Sequence, residues 1–281
     1  MQVDLNRIVS NPLGRLVYHL ARPFVNFMRR SAHPDIPTSH VISKVRCGDR
    51  RLSIEHRRWS QDDALAIKQC FEQQQYNMPT GLHGKAVTRI YQSILASGRQ
   101  PLILDCGANI GASVVWLADR YPEAHIVAIE PAPENFALLR RNTIGLDADL
   151  REAGIAPQDG DAFLKSCGGD MGYQTTDRAE GIAIQMLSVA TLLAEKSPEH
   201  YVPFLLKIDI EGAEASLFSG DTTAINQFPL IILEPHDWML PGKLPSQPFL
   251  RFHVASSREF CLNNENIASI AVRADPPNLT Q

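Results

Sequence analysis

No two of the five cysteines, Cys47, Cys70, Cys106, Cys167 and Cys261, are spaced as C-x-x-C, and their number is odd. The chain therefore lacks the usual signature of a structural zinc site, of a dithiol redox centre and of a fully paired disulfide scaffold, and it fits a reducing, cytoplasmic setting. Long runs of one charge are missing as well. With 27 basic and 31 acidic residues intermixed and a formal net charge of −4, there is no electrostatic footprint for nucleic acid. No stretch approaches the ~20 consecutive apolar residues of a membrane span. The nearest, Leu13 to Arg30, is interrupted by Arg15, His19, Arg22 and Asn26, and Pro23 would kink a helix there. It also lacks the apolar core and small-residue cleavage site of a secretory leader. It reads as a helix packed on a domain or a neighbouring subunit, with contact to a membrane surface as the other use of such a segment. No internal repeat is visible.

What is present is ordinary globular composition, 44% apolar and 21% charged, in a chain long enough for one domain and an appendage. Three regions follow. Residues 1–38 hold the helical segment and a linker, where two prolines between His33 and Thr38 favour extended chain. Residues 39–100 make a small N-terminal α+β cap of a hairpin plus helices. Val41 to His56 turns at Cys47-Gly48-Asp49, and Asp62 to Gln75 is a helix begun by Asp62 or Asp63, with Ala64, Ile67, Cys70 and Phe71 as its apolar stripe. From 101 to 281 short apolar runs alternate with helical segments. Strands are expected at 102–105, 125–130, 203–209 and 229–234, and helices at 112–121, at 134–142 and from near Gly212. That alternation predicts βαβ units and an α/β fold with a mostly parallel sheet.

A dinucleotide site would carry G-x-G-x-x-G after its first strand, and that pattern is absent. Asp105-Cys106-Gly107-Ala108-Asn109-Ile110-Gly111 stands in its place, between a strand and a helix. Glycines there allow a tight turn and close approach of a ligand to the backbone. A carboxylate at Asp105 would repel a pyrophosphate and suits a cationic amino-acid moiety, such as the ammonium and sulfonium of S-adenosylmethionine. Glu130 ends the second strand 25 residues after Asp105, near the ~20-residue offset at which an acidic side chain meets ribose hydroxyls in Rossmann-like sites.

A third cluster is Lys207-Ile208-Asp209-Ile210-Glu211-Gly212-Ala213-Glu214. A period of two puts Lys207, Asp209 and Glu211 on one face. Because open α/β sheets bind ligands beyond the carboxyl ends of their strands, the row points to a cleft; the bland alternative is a Lys207 salt bridge that merely precedes a helix. Glu234-Pro235-His236-Asp237-Trp238 ends the next apolar run. His236 suits a general base oriented by Asp237, and equally a satisfied structural histidine. Asp209, Glu211, Glu214 and His236 offer donors for Mg²⁺ or another divalent ion, but no coordination geometry is legible and a metal is not part of the expected chemistry.

In this order, these blocks resemble the FkbM family of methyltransferases, within the class I S-adenosylmethionine-dependent superfamily. The likeness rests on ILDCGANIGASVVWLA, IVAIEPAPENFALLRRN, LLKIDIEGAEASLFSG and IILEPHDW, runs from about Asp62 to near Ile267, and is most family-specific in KIDIEGAE. The resemblance implies a Rossmann-like class I methyltransferase fold, S-adenosylmethionine as cofactor, and O-methylation of a hydroxyl on a sugar, glycan or secondary metabolite. It implies cofactor-binding roles for Asp105, Gly107, Ala108, Asn109, Gly111, Glu130, Pro131, Asn135 and Tyr76, the last in the QQQYNMP stretch. Asp209 falls at the catalytic end of the fourth strand. The expected reaction is an in-line displacement in which Asp209 or His236 takes the acceptor proton and Glu211 orients the acceptor. An NAD-dependent oxidoreductase and a non-catalytic Rossmann-like binding protein share several of these features. Cys167 to Gly181 departs from the family and reads as a lid or acceptor loop, or as plain surface chain. Acceptor identity and oligomeric state have no readable code.

Overall fold

The computed structural model describes residues 40–78, 81–166, 173–176 and 181–271. The helix expected at 13–30, the linker at 33–38 and most of the 167–181 loop lie outside the described residues. The hairpin is present: β1 (His40–Cys47) and β2 (Arg50–Arg57) pair antiparallel about Gly48. α1 (Gln61–Phe71) follows, and its cap is Ser60, whose hydroxyl accepts from the Asp63 amide at 3.1 Å. Asp63, expected as the cap, is fully buried instead. It accepts from the Arg57 backbone at 2.8 Å and from the Arg57 guanidinium at 2.9 and 2.5 Å, which fastens the hairpin to the helix. The chain leaves α1 earlier than expected and turns at Gln74, φ +49°. α2 (Leu82–Ala96) completes the N-terminal elements.

Strand and helix then alternate as β3 (Gln100–Cys106), α3 (Ala112–Arg120), β4 (His125–Ile129), α4 (Pro133–Asn142) and β5 (Ala148–Arg151). Four short strands not anticipated from sequence come next: β6 (Gly154–Ile155), β7 (Gly160–Ser166), β8 (Tyr173–Thr176) and β9 (Ile182–Leu187). They form a separate sheet in the order β6-β9-β7-β8, whose small core of Ala162, Leu164, Ile184 and Met186 packs on Ala132. The chain returns through α5 (Val189–Ala194), β10 (Tyr201–Ile208), α6 (Glu214–Ser219), β11 (Leu230–Leu233), α7 (Gln247–Ala255), β12 (Glu259–Asn263) and β13 (Asn266–Ile270).

The main sheet has the order β12-β13-β11-β10-β3-β4-β5. Its five strands from β11 to β5 are parallel, and the β12–β13 hairpin adds antiparallel to β11. The order runs one way from β3 through β4 to β5 and the other way from β10 to β11. β3 and β10 therefore flank a topological switch point, where the connections diverge and leave a crevice at the carboxyl ends of the strands.

Alternation along the strands makes two cores. Leu102, Leu104 and Cys106 face one side with Leu206, Ile208, Phe218 and Phe249, whereas Ile103 and Leu205 face the other with residues of α1, α2 and α3. The N-terminal elements thus share a continuous core with the sheet. Tyr91 of α2, Tyr121 after α3 and Phe204 of β10 meet at ring-centroid distances of 5.0 to 5.3 Å, each such pair contributing about 0.5–1.5 kcal/mol beyond burial.

Asn142, at the end of α4, ties the cap to the glycine loop. Its amide accepts from the Glu55 amide at 2.7 Å and donates to the Glu55 carbonyl at 2.9 Å and to the Ile110 carbonyl at 2.7 Å. Asn142→Ala strands three backbone groups and should lower the unfolding free energy in urea by about 2–3 kcal/mol. A change below about 0.5 kcal/mol would show that water replaces the amide without cost.

Candidate active site

The centre of the crevice is a buried ion pair. Lys207 and Asp105 are register partners on β10 and β3, and their side chains meet at 2.9 Å with exposures of 2% and 0%. Asp105 also accepts from Ser113 at 2.6 Å, and Lys207 donates to the Gly107 carbonyl at 2.8 Å. The Lys207 ammonium lies 5.6 Å from the centroid of the Tyr76 ring, which is itself packed edge-on to Trp116. Burial works against the charged amine, but Asp105, Tyr76 and Asp209 outweigh it and hold Lys207 well above the ordinary lysine range. Asp105 thus presents no free carboxylate to a ligand; its charge is matched inside the protein. Tyr76 reaches the site only as the ring beneath Lys207.

The glycine loop wraps this pair. Gly107 sits at φ +85°, and a Cβ built there would lie 1.8 Å from the Asp209 carbonyl oxygen. Gly111, φ +87°, would meet Leu139 of α4 at 2.9 Å. Both glycines are therefore required by protein contacts: the first lets β10 pass close to the loop, the second lets α3 pack on α4. The amides of Gly107 and Ala108 donate to the Ile129 carbonyl, that of Gly111 to the Ala108 carbonyl, and that of Asn109 to Glu130 at 2.9 Å. With these four amides committed, the loop is not a nest for a pyrophosphate.

Glu130, just beyond β4, is buried and accepts from the Ala132 amide at 2.9 Å and from Asn135 at 3.4 Å as well. Burial pushes its carboxyl up to about 7 against those hydrogen bonds. Asn135 in turn accepts from Arg57 at 2.8 Å, so the cap reaches the site through α4. Pro131 stands between Glu130 and Ala132 in the same turn.

β10 ends at Ile208, one residue before the strand expected from sequence, and Glu211 (φ +52°) and Gly212 (φ +99°) turn the chain into α6. Asp209 is partly accessible, with a side-chain exposure of 27%. It lies 3.5 Å from Lys207 on one oxygen and 3.6 Å from His236 Nε2 on the other. Burial and the charge of Asp209 push Glu211 up to about 8, and its Oε2 is buried without a hydrogen-bond partner. Asp237 was the expected partner of His236. The Nδ1 partner is instead Glu214 at 2.7 Å, with Glu214 fully buried. Burial would lower the imidazole, but the bond to Glu214 and the charges of Asp209 and Glu234 raise it to about 9. Near neutral pH His236 therefore carries a proton, which is contrary to its expected use as the base. Of the four metal donors considered from sequence, Asp209 and His236 converge with Glu234, one ligand atom of each within 4.8 Å of the others, while Glu214 holds the back of the ring. Glu234 stands at the strand end that EPHDW marks, though the sequence gives it no role, and nothing in the local sequence of Ser113 distinguishes it from other helix residues.

The Methyltransferase FkbM domain matches residues 105–255, more than half of the chain. The chain belongs to the FkbM methyltransferase family. Methyltransferase sdnD of Sordaria araneosa is 26% identical over 155 residues, covering 43% of this chain and 60% of its own length. Methyltransferase 1 of Beauveria bassiana is 30% identical over 145 residues, covering 42% and 57%. The FkbM chain thus spans about three fifths of the curated relatives it matches. Among solved structures, an O-methyltransferase from Bacillus cereus in complex with SAH aligns with a TM-score of 0.36 at 13% identity, over 75% of this chain and 92% of that one.

Lys207→Met leaves Asp105 buried without its cation and should cost about 3–5 kcal/mol in urea unfolding. A loss under about 1 kcal/mol would mean that Lys207 does not neutralise Asp105.

Proposed function

We propose that this FkbM protein transfers a methyl group from S-adenosylmethionine to a hydroxyl of a sugar, glycan or secondary metabolite. The observation that carries the reading is the sign of what the crevice leaves unmatched. Asn109 Oδ1, Glu211 Oε2 and Glu214 Oε2 are buried acceptors without a hydrogen-bond partner, and Glu130 and Asp209 stand beside them. An acceptor-rich, negative crevice at a switch point suits a ligand that brings donors and positive charge; a dinucleotide pyrophosphate brings neither, which disfavours an NAD-dependent oxidoreductase.

S-adenosylmethionine, when bound, supplies ribose hydroxyls, an ammonium and an electrophilic methyl on a sulfonium. Glu130, presented by the Asn109 and Ala132 amides, accepts from ribose hydroxyls, with Ala108, Pro131 and Asn135 shaping that end of the site. Asp209 takes the acceptor proton, being partly accessible. Glu211 orients the acceptor, and imidazolium His236 with Lys207 holds the Asp209 carboxylate in place. Trp238, 66% exposed and 6.5 Å from the His236 ring, offers a flat apolar face at the mouth on which a sugar ring can lie. No described helix is long and apolar enough to cross a membrane, and Cys47, Cys70, Cys106 and Cys261 are free thiols, in keeping with action in the cytoplasm.

Calorimetry with S-adenosylmethionine and, separately, with NAD is the direct test. Binding of the former alone, weakened at least tenfold by Glu130→Ala, is expected; binding of neither would sink the methyl-transfer reading. The ionised Glu130 carboxylate is the stronger acceptor, and its folded-state value is raised to about 7, so affinity should rise several-fold between pH 6 and pH 8. In Glu130→Gln that slope should vanish. Asp209→Asn should keep cofactor affinity and slow transfer about 10²–10⁴-fold; unchanged turnover would remove Asp209 from the reaction.

A further inference from the structure

We infer that a groove between α2 and the end of α3 binds a small soluble molecule through its phosphate or diphosphate group. The groove encloses about 550 Å³ and shares no lining residue with the crevice at the carboxyl edge of the main sheet. That volume falls within the roughly 300–1,000 Å³ of small-molecule sites. Lys85, Thr88 and Arg89 of α2 line it together with Arg120 from the last turn of α3, Asn77 and Met78. Three cations therefore converge on one concavity, and no carboxylate lines it.

The protein does not match these charges itself. α2 has no acidic residue, and Asp119, the one acid of α3, is engaged by Arg50 at 3.2 Å. Glu123, just beyond α3, accepts from the Tyr91 hydroxyl. Among the described residues no carboxylate stands within ion-pair distance of Lys85, Arg89 or Arg120. Arg89 Nε donates to the Lys85 carbonyl at 3.4 Å, which leaves its two terminal nitrogens without a protein partner among the described residues. The Arg120 guanidinium lies 5.6 Å from the centroid of the Tyr121 ring, which orients it without neutralising it. Lys85 and Arg89 stand one turn apart on the same helix face, and a like-charge pair at that spacing works against the helix. In a chain with a formal net charge of −4, such a groove is a local reversal of sign that a bound anion offsets.

The donor set selects the class of anion. The forked guanidinium groups of Arg89 and Arg120 suit pairs of phosphate oxygens, and Lys85 adds a point charge. Together they match the roughly two or more negative charges of a phosphate ester or diphosphate. Met78 gives the carbon part of such a molecule an apolar wall. Because the cations line a concavity instead of spreading over a convex face, a discrete ligand fits better than a membrane surface. The site is independent of methyl transfer.

The test is calorimetry of the full chain with inorganic pyrophosphate, in the presence of a chelator to remove metal-bridged binding and without methyl donor. Saturable binding of about one equivalent is expected. Arg89→Ser and Arg120→Ser should each weaken it about tenfold, the loss of one charge-assisted contact. Arg251→Ser, which removes an exposed cation on α7 across the sheet, should leave it unchanged. All three arginines are exposed, so their replacement leaves the core intact. Wild-type protein that binds no pyrophosphate, or an equal weakening by Arg251→Ser, overturns the site. Pyrophosphate should also shield Lys85 from acetic anhydride, read by peptide mass spectrometry; protection of other lysines and not of Lys85 would refute the placement. Sedimentation with vesicles containing phosphatidylglycerol separates the two sources of phosphate. Retention that Arg89→Ser and Arg120→Ser abolish, and that pyrophosphate does not compete away, would overturn the assignment to a soluble ligand. Since no methyl donor is present, failure here leaves the S-adenosylmethionine calorimetry unaffected.

Discussion

Everything at the carboxyl edge of the main sheet is arranged around the Lys207–Asp105 pair. Two opposite charges at 2.9 Å, both out of water, attract strongly in a low-dielectric interior, yet desolvation consumes much of that gain. The pair is better understood as a constraint than as a source of stability. It can exist only if β3 and β10 are register neighbours, if Tyr76 and Trp116 cover it, and if the Gly107 carbonyl and the Ser113 hydroxyl complete its hydrogen bonds. Those requirements fix the glycine loop against β10, down to a Gly107 that has no room for a Cβ beside the Asp209 carbonyl.

Around that neutral centre the protein collects more acidic groups than it can pair. Among the described residues, Lys207 and His236 are the positive groups that act on Glu130, Asp209, Glu211, Glu214 and Glu234 in the crevice. Burial and mutual repulsion push Glu211 and Glu234 up to about 8. Such frustration is a cost to the fold, and sites that bind cations or donor-rich ligands are where proteins tolerate it. His236 responds in the opposite direction. Held between Glu214 and Asp209, its imidazole is raised to about 9.

The outer parts of the molecule reach this crevice through polar links rather than by lining it. Arg57 connects Asp63 to Asn135, which touches Glu130; Asn142 connects the hairpin to Ile110 in the glycine loop. The cap, the glycine loop and the turn after β4 are thereby joined, and the N-terminal elements share a core with the sheet.

Periodicity in the sequence already determined β3, β4, β10 and β11, the helices α3, α4 and α6, the hairpin at 40–57, and the identity of the loop at 105–111 as a strand-to-helix turn, but not β5, α5, α7 or the β12–β13 hairpin. The reason is local: apolar runs, glycine spacing and alternation are encoded within a dozen neighbouring residues. KIDIEGAE and EPHDW likewise marked the right strand ends. Which atoms meet there was decided only by tertiary structure. Asp105 finds Lys207 across 102 positions, His236 takes Glu214 rather than its neighbour Asp237, and Glu234 joins the cluster through parallel register. The second sheet is not legible in the sequence because β6 to β9 are short, and β9 exposes the apolar Ile182 and Ala183 beside buried Ile184, Met186 and Leu187. Charge pairing and protonation depend on distance and burial, quantities that do not exist until β3, β10 and β11 lie side by side.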